Sequence, residues 1–185
     1  MTAVIYAPLR VERFALRRAR SPLVRVGMGP SRQVHTRAAV VAGLGGGLAD
    51  GVRPGDVVVA TEVLGDGRTV TCSLSELLAD ELTRIGLTVH LGPIWSERKL
   101  VTGAARRELA RSGALAVDME SIWLAPGDGT PFAAVRVISD TDDAPLLRPG
   151  TVTRGITALR VLGRTVPALD AWVDQASSLM PKEVS

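Results

Sequence analysis

Cysteine, histidine, lysine and aromatic residues are all scarce in this 185-residue sequence. The single cysteine, Cys72, cannot close an internal disulfide, which fits a reducing, cytoplasmic setting. No histidine stands near it in sequence, so it reads as a passive thiol rather than a nucleophile. The two histidines, His35 and His90, lack ligand spacing, so no metal site is expected. Aromatics are only 3% of a chain that is 46% hydrophobic, so Val, Leu, Ala and Ile must fill its core. No apolar run is long enough to cross a bilayer. The N-terminus, Met1-Thr-Ala-Val-Ile-Tyr-Ala-Pro8, has neither a basic n-region nor a long apolar h-region, so neither a secretory leader nor an integral membrane segment is expected.

Arginine supplies nearly all of the positive charge behind the formal +3 and the pI of about 9.7. Its densest run is Arg10, Arg13, Arg17, Arg18 and Arg20 in the first helix. A nucleic-acid reader would use such a stripe. Only Phe14 interleaves with it, however, and no reader motif is present, so a nucleic-acid partner is not expected. The length suits one domain over residues 1–185, with no internal repeat and no linker.

Short apolar runs alternate with helical patterns. Strands are expected at Ala3–Ala7, Leu23–Val26, Val40–Ala42, Val57–Ala60, Leu87–Leu91, Ala114–Val117 and Phe132–Ile138. Helices are expected after Pro8, over Ser31–Ala38, from a Ser73 cap with Glu76 three residues later, over Gly103–Arg111, from Met119, and over Thr151–Ala176 with a bend or restart at Pro167. Arg53-Pro-Gly-Asp56 is a turn, and Gly65-Asp-Gly67 a loop. This alternation predicts an α/β fold: three layers, a mixed but largely parallel sheet, and helices on both faces.

Two of these strands end in acids: Ala116-Val-Asp-Met-Glu-Ser121 and Val135-Arg-Val-Ile-Ser-Asp-Thr141. Open α/β sheets bind ligands at the carboxyl ends of their strands. Two carboxylates there suit one group that holds a polar ligand and one that handles a proton. Taken alone, the residues also permit plainer roles: Asp140 in a solvated acidic loop or helix cap, Glu120 as a helix N-terminal carboxylate, Met119 in the core, the glycines in turns.

Val117-Asp-Met-Glu-Ser121 and Val135-Arg-Val-Ile-Ser-Asp-Thr141, preceded by Gly27-Met-Gly-Pro30, Gly43-Leu-Gly-Gly-Gly-Leu48 and Arg53-Pro-Gly-Asp-Val-Val-Val-Ala60, resemble the purine nucleoside phosphorylase and methylthioadenosine/S-adenosylhomocysteine nucleosidase superfamily. The order and spacing agree over most of residues 3–145, and Asp-Met-Glu-Ser is typical of the hopanoid-associated phosphorylase branch. The resemblance implies cleavage of the bond between a purine and a ribose carbon through an oxocarbenium-like transition state. It makes Asp140 the group that donates to or hydrogen-bonds the purine N7 side, oriented by Ser139. Glu120 would accept the ribose hydroxyls and Met119 would pack under the sugar. Gly27, Gly29, Gly43 and Gly45 would let backbone amides hold phosphate or water. Glu12 is the acid near the first strand that could activate water, if it faces the site rather than solvent. Trp95 either stacks on the purine or packs at a strand end. No cofactor is implied beyond inorganic phosphate as co-substrate, and a homo-oligomer is implied as partner.

The chain departs from the family in places. Only Pro30–Ala42 separate two glycine segments that a full helix usually separates. The stretch from Glu62 to Leu74 lacks the usual long cap, and Leu44 replaces a common phosphate-binding serine. Ile94-Trp-Ser-Glu-Arg-Lys99 lacks the Ser-Gly-Asp pattern of the base-contacting loop. A short cap implies an open site, suited to a bulky or lipid-linked 5′ substituent such as that of adenosylhopane. Phosphorolysis of a 5′-modified adenosine is the leading expectation. A hydrolytic nucleosidase and a catalytically degenerate nucleoside-binding paralogue are the alternatives.

Overall fold

The computed structural model describes residues 3–29, 36–127, 129–142 and 151–179. Most of the helix expected over Ser31–Ala38 lies outside them. The described chain runs β1 (Val4–Ala7), α1 (Arg10–Ala15), β2 (Leu23–Arg25), β3 (Ala39–Gly47), β4 (Val57–Gly65), β5 (Arg68–Thr71), α2 (Ser75–Arg84), β6 (Val89–Ser96), α3 (Gly103–Ala110), β7 (Ala116–Asp118), α4 (Ser121–Leu124), β8 (Phe132–Asp140), α5 (Thr151–Arg164) and α6 (Val166–Ser178). The expected α/β architecture is present.

The strands form one mixed sheet. β1 pairs in parallel with β2 and β3, β3 with β8, β4 with β6, and β6 with β7. β3–β7, β4–β5 and β4–β8 are antiparallel. The pairings β3–β8–β4–β6–β7–β3 close on themselves, so the centre of the sheet is a ring without a free edge. Apolar runs with no polar face, such as Val57-Val-Val-Ala60, are buried on both sides, as central strands must be. One face packs on α2, α5 and α6 through Leu78, Leu82, Leu162, Leu169 and Trp172. The other packs on α4 through Ile122 and Leu124, with Tyr6, Phe132 and Ile138 beneath.

Four local features differ from the sequence expectation. Gly43–Gly47 is not a loop: β3 continues through all of it, paired with β8. The missing side chains make room for charged ones, since a Cβ on Gly43 would lie 2.5 Å from Arg136 Nη1 and 2.7 Å from Glu12 Oε1. α2 starts at Ser75 rather than from a Ser73 cap, because Ser75 Oγ donates to the Ala60 carbonyl at 2.6 Å and ties the first turn to β4. β5 is an additional strand. The loop before it is a two-residue hairpin turn in which Asp66 and Gly67 both have positive φ, 51° and 72°, the backbone that Asp-Gly favours. The last helical pattern is broken at Thr165, and Pro167 sits in the first turn of α6, where it lacks no partner.

Gly43→Ala should therefore destabilise the fold by about 2–4 kcal/mol, because the guanidinium and carboxylate it meets are buried and boxed in. Gly127, with open space around it, should tolerate alanine to within about 0.5 kcal/mol. Urea melts of the two variants check the contrast.

Candidate active site

The carboxyl ends of β3, β7 and β8 meet the start of α1 around a cleft of about 260 Å³. Glu12, Met119, Glu120, Ser139, Asp140 and Gly45 line it, together with Met28, Leu44, Leu100, Val101, Arg106 and Asp118. Its volume is near the lower end for small-molecule sites, about 300 Å³.

Arg136 anchors one side. It interrupts the apolar strand β8 and is wholly buried, so its charge demands buried partners. Its Nε donates to Asp118 Oδ2 at 2.7 Å, and its Nη2 donates to Ser121 Oγ at 3.0 Å and Glu120 Oε2 at 3.3 Å. Asp118 is saturated further. It accepts from Ser96 Oγ at 2.5 Å, from Ser121 Oγ, and from the Glu120 and Ser121 amides at 3.2 and 3.3 Å. Through these two amides Asp118 fixes the turn between β7 and α4 and holds Glu120 in place. The remaining nitrogen, Arg136 Nη1, is buried without a hydrogen-bond partner among the described residues and lies toward Gly43 and Glu12.

Glu12 faces the cleft, which resolves the alternative left open by the sequence. Third in α1, it reaches back to accept the Leu9 amide at 2.6 Å. Its other oxygen accepts the Leu44 amide of β3 at 2.8 Å. Burial raises its pKa above the ordinary carboxylate value, and the nearby Arg136 charge opposes that only in part. Burial likewise pushes Glu120 up to about 7, against Arg136 and helped by the Asp118 charge. Glu120 Oε1 also accepts the Gly29 amide at 3.4 Å.

Across the cleft Asp140 is buried, and Ser139 Oγ donates to its Oδ1 at 2.8 Å. Arg106, which the sequence reading did not single out, holds the other oxygen. Its Nη1 donates to Asp140 Oδ2 at 2.6 Å and its Nη2 to the Asp140 carbonyl at 2.9 Å. Nε and Nη2 also donate to the Gly47 carbonyl, at 3.1 and 2.8 Å. On an amphipathic helix beside Arg107, Arg106 looks like a solvated residue, so no sequence signal marks it. Arg136 did carry a signal: a lone cation in an apolar strand.

Four expected residues sit differently. Trp95 lies on β6 opposite Leu64 and Val117 and is not among the cleft-lining residues. The amides of the two glycine segments already have acceptors where partners are seen: Gly27 N–H donates to the Pro8 carbonyl, Gly29 to Glu120 and Leu44 to Glu12. Gly43 lies behind the cleft, beneath Glu12 and Arg136. Among the described residues there is no metal-binding cluster.

A cleft at the carboxyl ends of the strands, holding a buried, arginine-tethered acid on each side and a third acid fixed by two backbone amides, defines a small-molecule site in an α/β enzyme fold. The profile of the Phosphorylase superfamily matches residues 23–155, and the chain belongs to that superfamily. Among solved structures, Helicobacter pylori 5′-methylthioadenosine/S-adenosyl homocysteine nucleosidase superposes with a TM-score of 0.72 at 17% identity, over 95% of this chain and 98% of that one. Streptococcus pyogenes S-adenosylhomocysteine nucleosidase, in complex with 5-methylthiotubericidin, does so with 0.72 at 19%, over 95% and 97%. The Neisseria meningitidis nucleosidase, in complex with methylthio-immucillin-A, gives 0.69 at 20%, over 94% and 98%. At these identities the likeness establishes the fold. No curated protein sequence matches the chain.

Removing one member of a buried ion pair strands the other, at a cost of about 3–5 kcal/mol. Arg106→Met should cost that much, and the double variant Arg106→Met/Asp140→Asn should recover most of it. A double-mutant cycle on unfolding free energies measures the coupling.

Proposed function

We propose that the chain cleaves the N-glycosidic bond of a purine nucleoside, as the family resemblance implies, with water as the attacking group. The observation that carries the choice of water is the placement of Glu12. A carboxylate fixed by two backbone amides, lifted in pKa by burial, and set in the same cleft as Glu120 and Asp140 is suited to act as a general base. The same carboxylate would repel phosphate. The glycine-segment amides that would cradle an anion are engaged by Pro8, Glu120 and Glu12. These features support water over the phosphorolysis expected from sequence.

In this proposal Glu12 removes a proton from water held against it in the cleft. The oxygen attacks C1′ while the C1′–N9 bond breaks; its electron pair passes to the purine, which takes up a proton on the Asp140 side and leaves as the neutral base. Glu120 accepts the ribose hydroxyls and Met119 packs beneath the sugar. Asp140, with Ser139 and Arg106, faces the purine. Met28, Leu100 and Val101 supply apolar lining for a 5′ substituent. A 5′-extended adenosine and a homo-oligomer stay part of the proposal on the strength of the resemblance, and a cytoplasmic setting on that of the single cysteine.

Adenine release from adenosine, methylthioadenosine and a 5′-alkylated adenosine, each with and without phosphate, tests it. Release independent of phosphate, yielding the free sugar, is expected. Release that requires phosphate and yields a sugar 1-phosphate would overturn the water reading. Glu12→Gln should lower kcat by about 10²–10⁴. A base works only when ionised, so kcat/KM should fall as pH drops through a pKa above the ordinary 4.5 of Glu12. Glu12→Gln should remove that limb from the pH profile.

A further inference from the structure

The arginine run of the sequence has no role in the cleft. α1 turns Glu12 inward and Arg10, Val11, Arg13 and Phe14 outward. Arg10, Arg13, Arg17 and Arg18 are all exposed on α1 and the turn after it, beside Arg160 and Arg164 of α5. With Arg25 of β2, these seven cations line two adjoining open clefts of about 840 and 610 Å³, and no carboxylate lines either. Among the described residues, no acid pairs with Arg10, Arg13, Arg18, Arg25 or Arg160. The formal charge of the whole chain is only +3, so without this face it would be negative.

Large apolar side chains stand among these cations. Phe14 is 65% exposed, Val11 52% and Ile156 45%. Phe14 forms the ridge between the two clefts, with Arg17 stacked on its ring at 4.1 Å. Exposed aliphatic and aromatic groups inside a field of one charge sign mark a surface that is normally covered.

We propose that this face docks the protein on an anionic lipid bilayer, with Phe14, Val11 and Ile156 entering the headgroup–acyl boundary and the arginines meeting lipid phosphates. Charge selects an anionic surface, and the apolar ridge selects one with an apolar layer beneath its charge. A second copy of the chain fits badly, because a twofold contact through this face sets arginines against arginines. Nucleic acid fits less well than lipid. Val11 and Ile156 offer no ring for a base to stack on, and one face of the Phe14 ring is already covered. The contact is peripheral, since no helix of the described residues is long and apolar enough to cross a membrane. The inference stands apart from the choice of reaction, because none of these side chains belongs to the cleft.

Co-sedimentation of the full chain with vesicles tests this, using phosphatidylcholine alone and an equal mixture with phosphatidylglycerol. Binding to the mixed vesicles at low salt is expected, with release at high salt and none to the neutral vesicles. Arg13→Glu/Arg17→Glu/Arg160→Glu should reduce the bound fraction at least tenfold. Val11→Ser/Phe14→Ser, which leaves the charge unchanged, should reduce it severalfold. Both sets of positions are exposed, so melting temperature and nucleoside cleavage should hold. If the charge-reversed variant fails to fold, the serine variant decides. No binding to the mixed vesicles, or a serine variant that binds like the parent, would overturn the proposal. So would DNA that displaces the protein from vesicles and binds the serine variant undiminished, which would reassign the face to nucleic acid.

Discussion

Arg136 carries a guanidinium wholly withdrawn from water in the middle of an apolar strand, and much of the site follows from satisfying it. Asp118 and Glu120 must come to it, which fixes the end of β7 and the start of α4. Space must be left for it, so β3 has glycine opposite: a side chain at Gly43 would collide with its Nη1, and one at Gly45 would press on its Cβ at 3.1 Å. A buried ion pair adds little net stability compared with an apolar core, but breaking one is costly. Such a group therefore dictates its surroundings more than it strengthens them.

The cleft holds two such tethers. Arg136 takes Asp118 and Glu120, and Arg106 takes Asp140. Glu12 is held by backbone amides, with no side-chain donor on its carboxylate among the described residues. Carboxylates in one cavity with different partners take different roles, since environment separates their affinities for a proton. That asymmetry underlies the assignment of Glu12 to a base, Glu120 to a hydrogen-bond acceptor, and Asp140 to the opposite wall. The closed ring of strands around β3 and β8 keeps these groups in register, because none of its ladders ends in an unpaired edge that could slip.

Periodicity and punctuation in the sequence were enough to place most elements. The all-apolar Val57–Ala60 and the largely apolar Phe132–Ile138 read as strands, and Pro167 as a bend or restart in the last helix, and each is found there. The misreadings have local causes. Gly43–Gly47 looks like a loop because glycine usually serves turns, whereas here it clears space for side chains from other elements. β5 is polar and half-exposed, so it lacks strand patterning, although Asp66-Gly67 carried the turn signal that makes it. Ser73 looked like a cap, but Ser75 made the tie to the sheet.

The sequence by itself determined the α/β class, the order of most elements, and the two acid-ended strands that supply Glu120 and Asp140, since those depend on residue order and short-range periodicity. It left open whether Glu12 faced the site, gave no sign that Arg106 clamps Asp140, and did not show which amides were already engaged. Those facts join residues 32, 34 and 91 positions apart. Only tertiary structure settles contacts of that range, because a buried charge finds its partner by where the sheet brings the chain together and not by spacing along it.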